Sequence, residues 1–219
     1  MERTCTLILP CLDEAAALRT VIPEVPSRLR VLVVDNGSTD ATADVARSLG
    51  ARVVLEPRPG YGAAVHAGVE AADTELVAVM DGDGSFRAHD LLPLVDDVEH
   101  GRATMAVGRR RPVRRGIWPW HARLGNRLVI GILRSRSDFP LHDIAPARVC
   151  RRDDLLALGI EDRRFGYPLE LMRRASAAGW RIVEHDVPYH PRTHGTRSKV
   201  SGSVRGTVRT ARDFLAVLR

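Results

Sequence analysis

The sequence predicts an α/β fold with a doubly wound, mainly parallel sheet flanked by helices, and three observations predict it. Short apolar runs such as Arg30-Val-Leu-Val-Val34 and Leu76-Val-Ala-Val-Met80 alternate with helical segments of about ten residues. The run Leu76–Met80 contains no polar residue, which suits a strand buried on both faces. It stops abruptly at Asp81-Gly-Asp83-Gly-Ser85, two carboxylates where open α/β sheets bind their ligands.

Taken in order, Thr4 to Pro10 reads as the first strand, and Asp13 is expected to cap a helix through Glu14 to about Val25. Arg30 to Val34 forms the second strand, ending in the loop Asp35-Asn-Gly-Ser-Thr-Asp40. A helix near Ala41 to Leu49 is closed by Gly50, and Ala51 to Leu55 is a third strand. The loop Pro57-Arg-Pro-Gly-Tyr-Gly62 leads into a helix from Ala63 to about Ala72. After the Asp-Gly-Asp strand come a helix from about His89 to Glu99 and a fifth strand around Thr104 to Val107.

Beyond Gly108 the pattern changes. Arg109 to Arg115 reads as a basic loop, Trp120 to Arg134 as a helix, and Leu141 to Pro146 as irregular. Short helices are expected over Arg152–Leu158 and Pro168–Ala178, with a late strand over Trp180–Val187. His190 to Ser203 reads as loop, and the remainder as helix. No linker or repeat divides the chain. The expectation is one domain over 1–219, with 1–108 holding the donor and 109–219 forming the acceptor side.

Composition narrows the function. A hydrophobic share of 44% with 27% charge is that of a soluble chain with a core, and no apolar run nears the roughly 18 residues needed to span a bilayer. Cys5, Cys11 and Cys150 make no C-x-x-C pair, which fits a reducing cytoplasm, and the N-terminus shows no signal-peptide pattern. The net charge of +6 favours anionic partners. Aromatic residues, at 5%, are too scattered to stack bases, so no nucleic-acid partner is expected. A sugar nucleotidyltransferase would want a glycine-rich loop after the first strand, where Pro10-Cys-Leu-Asp-Glu14 has none.

Two hard carboxylate donors one residue apart suit Mg2+ or Mn2+ shared with a substrate phosphate. Together with Leu9–Glu14, Val33–Asp40, Gly60-Tyr-Gly-Ala-Ala64, Gly108-Arg109, Phe165-Gly-Tyr-Pro-Leu-Glu170 and Arg192 followed by Gly195–Val200, the motif resembles the GT-A fold glycosyltransferases of family 2. Within them the chain most resembles the polyprenol-phosphate branch, the dolichol-phosphate mannose or glucose synthase-like enzymes.

That resemblance implies a role for each matched residue. Pro10, Leu12, Glu14 and Asp35 would embrace the nucleoside, although Asp35 and Asp40 also suit an Asx turn and a helix cap. Arg58, Gly60 and Gly62 would lie by the diphosphate, along with Gly82 between the carboxylates. Asp81 and Asp83 would hold the metal. Ser85 stands where the branch often has an amide or imidazole ligand. Arg109, Arg110 and Arg111 would meet an acceptor phosphate, and Asp143 and Glu170 match acidic positions of the second half. Glu170 also suits a helix-face pair with Arg173 or Arg174. Tyr167 and Trp180 read as core. Arg192, Arg197 and Lys199 would close over the donor diphosphate.

The function implied is a metal-dependent, inverting transfer of a hexose from a UDP- or GDP-sugar to polyprenyl phosphate. Transfer to a soluble hydroxyl acceptor, saccharide or secondary metabolite, is the alternative. An apolar stripe of Val204, Val208, Ala211, Leu215 and Leu218 beside Arg205, Arg209 and Arg212 suits a helix lying on an anionic membrane. The expected location is therefore the cytoplasm, with peripheral attachment to the inner face of the membrane. Lys199 is the only lysine in a chain that uses arginine everywhere else, so its compact ammonium is a candidate phosphate ligand. Lys199→Arg should lower turnover by about tenfold despite the preserved charge, because a guanidinium fork does not fit a point-charge site. Equal steady-state rates would make it an ordinary loop residue.

Overall fold

The structure is a computed structural model that describes residues 5–136, 141–144 and 146–193. Its first half alternates strand and helix as the apolar runs require. It holds β1 (Cys5–Cys11), α1 (Ala15–Val21), β2 (Leu29–Asp35), α2 (Thr42–Ser48), β3 (Arg52–Leu55), α3 (Tyr61–Ala71) and β4 (Leu76–Val79). A 3-10 turn at Ala88–Leu91 leads into α4 (Leu92–Glu99), and β5 (Met105–Pro112) follows. The second half holds α5 (Trp120–Arg136), β6 (Ala147–Arg151), α6 (Arg152–Ala157), α7 (Tyr167–Ala177) and β7 (Ile182–Tyr189).

The seven strands make one sheet in the order β3-β2-β1-β4-β6-β5-β7. All described pairings are parallel except those of β6, which runs antiparallel to β4 and β5. β4 is the middle strand, and its four residues are all buried, as an apolar run without alternation demands. From β1 the chain winds outward through β2 and β3, then returns through α3 to β4 on the other side of β1. The carboxyl ends of β1 and β4 therefore flank the switch point, where a crevice opens in such sheets.

Side chains alternate across the sheet and feed two cores. Leu7, Leu9, Val33, Ala78 and Val149 pack with Leu18, Val45, Leu94 and Val98 of α1, α2 and α4. Ile8, Leu32, Val34, Val77, Val79 and Cys150 pack with Val65 and Val69 of α3 and with Leu169 and Met172 of α7. Tyr167 is 1% exposed and Trp180 packs partly buried against the second core, as expected of core aromatics. The three cysteines are buried and unlinked.

Three expectations need correction. Arg109–Arg111 is not loop: β5 continues to Pro112, paired with β7 up to Pro112↔Tyr189. The strand β6 was not anticipated, because Ala147-Arg-Val-Cys-Arg151 carries two arginines that mask its apolar residues. Asp13 does not cap α1. Its φ of 54° turns its carboxylate toward the amide and hydroxyl of Thr39, and Asp40 reaches across to accept from Ala15 N at 3.2 Å instead. Thr4, Arg197, Lys199 and the expected C-terminal helix lie outside the described residues.

One seam joins the two halves. The amides of Gly62 and Ala63, unpaired within their own helix turn, donate to the carbonyls of Arg164 and Arg163 at 3.0 and 2.8 Å. A Cβ at Gly62 would fall 2.7 Å from Tyr167 Cβ and 2.8 Å from the Arg163 carbonyl carbon. Gly62→Ala should therefore cost about 1–3 kcal/mol in urea unfolding by overpacking this contact. Unchanged stability would mean that the seam is not tightly packed.

Candidate active site

Loops after β1 and β2 are laced together at one side of the crevice. Pro10 and Cys11 pair with Val34 and Asp35, and Asn36 N donates to Cys11 O at 2.9 Å. Asp35 is buried, and its Oδ1 accepts from Ser38 N at 2.9 Å, the Asx turn that its loop composition suggests. Asp40 also holds the start of α2, accepting from Thr42 N at 2.9 Å. Leu12 is half-buried beside this knot. Glu14 is turned toward the central strand: a Cβ on Gly82 would lie 2.8 Å from Glu14 Oε2 and 2.6 Å from Cys11 Sγ. Only glycine fits between the two aspartates.

The third loop is organised by a residue that sequence reasoning passed over. Asn36 donates from Nδ2 to the carbonyls of Glu56 and Arg58, at 2.9 and 2.7 Å, and accepts from Gly60 N at 2.8 Å. Arg58 grips buried Glu56 with Nε at 3.0 Å and Nη2 at 3.1 Å. The glycines here serve packing, since Gly60 has a φ of 145° and a Cβ on it would strike the Arg163 carbonyl.

Asp81 and Asp83 stand at the end of β4 with the latter 2% exposed. Asp83 Oδ1 accepts from Ser85 N at 2.9 Å, and its Oδ2 meets Arg192 Nε at 2.8 Å. The segment after β7 runs over this turn: His190 N donates to Ser85 O at 2.9 Å and Thr193 N to Asp83 O at 3.0 Å. Gly84, with a φ of 80°, leaves room for Thr193 Oγ1, which would sit 2.5 Å from a Cβ. Burial, and then the charge of Asp83, push the Asp81 carboxyl up to about 6, against the pull of Arg192, Arg110 and Arg148.

A buried and a half-buried carboxylate among arginines fit a hard divalent cation that shares its shell with phosphate oxygens. Ser85 Oγ is fully buried and has no hydrogen-bond partner among the described residues, a further oxygen donor of the type such a cation takes. No group of three or more His, Cys, Asp or Glu is placed to hold a metal ion among the described residues. The donor set therefore suits Mg2+ or Mn2+ and not a closed zinc site.

The residues expected on the acceptor side are largely engaged with one another. Arg110 donates to Asp143 from its backbone N, Nε and Nη2 at 3.0, 2.8 and 2.5 Å, and its guanidinium lies 4.0 Å over the Trp118 ring. Arg109 is held loosely, 3.8 Å from Glu184 and 3.7 Å from Asp186, while Arg111 meets Asp186 at 2.8 Å. Glu184 also binds the His142 ring at 2.8 Å. Glu170 accepts from the amides of Glu161 and Asp162 and from Arg174 Nε at 2.6 Å, which is the helix-face pair its spacing allows. Burial pushes the Glu170 carboxyl up, but those amides and Arg174 outweigh it and leave it below its ordinary value.

The structure thus gathers Asp81, Asp83, Ser85, Gly82, Arg192 and Glu14 at one place, with Arg110 close enough to act on Asp81. It gives Arg58, Asp143 and Glu170 fixed partners of their own. Sequence reasoning missed Arg148, 3% exposed on β6 opposite Val79, and Tyr61, whose hydroxyl lies against it. The alternation Arg148, Cys150 against Ala147, Val149 was the available signal.

A doubly wound sheet carrying Asp-Gly-Asp at the end of its middle strand, at the switch point of the fold, defines a GT-A glycosyltransferase. The chain belongs to glycosyl transferase family 2, whose model matches residues 6–157. It is 57% identical over 213 residues to an uncharacterized glycosyltransferase of Mycobacterium tuberculosis, covering 97% of each chain. It is 30% identical over 218 residues to the polyprenol monophosphomannose synthase of Mycolicibacterium smegmatis, covering 90% of this chain and 81% of that one. Among solved structures, glucosyl-3-phosphoglycerate synthase from M. tuberculosis with Mn2+ and UDP-glucose shares the fold at a TM-score of 0.77. The identity is 22%, with 99% of this chain and 78% of that one covered.

Two outcomes test the site. Because the Asp81 pKa is raised, the proton competes with a cation below about 6 and not above it. Apparent Mn2+ affinity, measured by calorimetry, should be flat from pH 8 to about 6.5 and then fall about tenfold per unit. A flat affinity down to pH 5 would remove Asp81 from the ligand set. Asp143→Ala should cost about 3 kcal/mol of stability by stranding half-buried Arg110. Unchanged stability with a collapsed kcat would make Asp143 a base instead.

Proposed function

We propose that this glycosyltransferase moves a hexose, with inversion, from a UDP- or GDP-sugar to a polyprenyl phosphate, using Mg2+ or Mn2+ held by Asp81 and Asp83. The observation that carries the acceptor class is the state of the two candidate bases. Asp143 is neutralised by Arg110, and Glu170 by Arg174 and two amides. A hydroxyl acceptor needs a carboxylate within reach of its proton. A phosphate monoester, with a second pKa of about 6, arrives already ionised and needs only positioning. Arg109, loosely paired at the carboxyl end of β5, is the residue best placed to receive it. The likeness to a polyprenol monophosphomannose synthase supports the same class.

The chain's own residues supply the rest. Pro10, Leu12 and Asp35 would wall the nucleoside side of the crevice, and Gly82 lets Cys11 and Glu14 pack against the Asp-Gly-Asp turn that faces the diphosphate. When bound, the cation would absorb charge on the departing nucleoside diphosphate. Arg192 would then exchange part of its contact with Asp83 for the diphosphate, with Arg197 and Lys199 joining it from the segment beyond. Stabilisation of the leaving group is electrostatic, from groups already in position.

The test is incubation with labelled UDP- and GDP-hexoses, Mn2+, and either a short-chain polyprenyl phosphate or a panel of hydroxyl acceptors. Transfer to the polyprenyl phosphate, reduced at least about 100-fold in Asp83→Asn while the fold is kept, is expected. Transfer to hydroxyl acceptors alone would overturn the acceptor class. Near wild-type turnover by Asp83→Asn in saturating metal would overturn the metal site.

A further inference from the structure

Helix α5 is apolar on two opposite faces. Asn126 and Ile130 are buried and Val129 packs on the second core, so this side holds the helix to the domain. Trp120, Leu124, Leu128 and Ile132 recur every fourth residue on the other side and are 75%, 49%, 61% and 37% exposed. At 3.6 residues per turn the two rows lie about half a turn apart. Val113, 51% exposed, precedes the helix at the end of β5. A contiguous row of large apolar side chains facing water marks an interaction surface, whereas scattered ones do not.

Charge selects the partner. From Pro112 to Ser137 the chain has six arginines, Arg114, Arg115, Arg123, Arg127, Arg134 and Arg136, and no carboxylate. Arg123, Arg127 and Arg134 flank the apolar row and are exposed. A second copy of this face would bring like charges together. So would the chain's own 194–219 segment, which has six basic residues and one acidic one. An anionic bilayer satisfies both requirements, accepting the apolar row among its acyl chains and the arginines among its headgroups. Tryptophan at the helix start favours the membrane–water boundary. Among the described residues no helix is long and apolar enough to cross a membrane.

We infer that α5 is a membrane-docking helix that lies on anionic phospholipid with Trp120, Leu124, Leu128 and Ile132 inserted. It follows the carboxyl end of β5 after the connection 113–119, and that end lies on the edge of the sheet that carries Asp81 and Asp83. Docking there would present the acceptor side of the crevice to the lipid surface. This last step rests on the lipid-phosphate reading of the acceptor; the docking itself does not.

The experiment is cosedimentation of the full chain with vesicles of phosphatidylcholine containing 0 or about 40% phosphatidylglycerol, at low and high salt. Leu124→Gln/Leu128→Gln and Arg123→Gln/Arg127→Gln are the variants, with thermal melts and sedimentation velocity alongside. Wild type should bind the anionic vesicles at low salt, and each double variant should bind at least tenfold more weakly with an unchanged melting temperature. Transfer to a short-chain acceptor in detergent should be unaffected, which separates this inference from the acceptor assignment. Wild type remaining in the supernatant under every condition would overturn it. So would a dimer dissolved by Leu124→Gln/Leu128→Gln, which would assign the row to a second copy. A lowered melting temperature in that variant without vesicle binding would assign the row to the chain's own 194–219 segment.

Discussion

Two carboxylates one residue apart, Asp83 buried and Asp81 half-buried, set the terms for the rest of the molecule. Asp81 and Asp83 sit at the end of the most buried strand, and their mutual repulsion in a desolvated turn is unfavourable without positive charge nearby. The chain supplies Arg192 in direct contact with Asp83, and Arg110 and Arg148 within electrostatic reach of Asp81. These come from three parts of the second half: the strap after β7, the end of β5, and the reversed strand β6. The carboxylates come from the first half. The site is thus an electrostatic bond between the two halves as well as the proposed place for a cation.

Backbone requirements around that pair are equally strict. Gly82 must lack a side chain because Cys11 and Glu14 fill its Cβ position, and Gly84 because Thr193 crosses it. Asn36 ties the second and third loops with three hydrogen bonds from one side chain. Such satisfied buried networks fix geometry more than they add stability. A transferase that must align a sugar with an acceptor needs that fixity, since small misplacements cost large factors in rate.

Most of the first half was legible because apolar periodicity and local turn chemistry decide it. β1, β2, β4 and the Asp-Gly-Asp turn follow from runs that leave little choice, and family 2 membership was visible in motifs spread from Leu9 to Val200. The misreadings have one physical cause: long-range partners. Nothing local says that Asp40 rather than Asp13 caps α1, because that cap crosses between loops. β6 hid because Arg148 is a buried cation within reach of the distant Asp81, and β5 was cut short because Arg110 is held there by Asp143, Trp118 and Tyr189, all far along the chain. The pairing of Glu170 with Arg174 was legible from its helical spacing, whereas that of Asp143 with Arg110 spans the fold. The exposed row of α5 was legible as an amphipathic pattern, yet only the packing of Asn126 and Ile130 shows which face is left outside.

In the proposed mechanism the carboxylate pair is completed by a cation that carries the donor diphosphate. The most direct measurement is calorimetric titration of UDP and GDP into the protein in Mn2+ and, separately, in EDTA. One of the two should bind in Mn2+ at least about 100-fold more tightly than in EDTA, because without the cation its diphosphate meets two carboxylates. Equal affinity with and without metal, for whichever nucleotide binds, would contradict it.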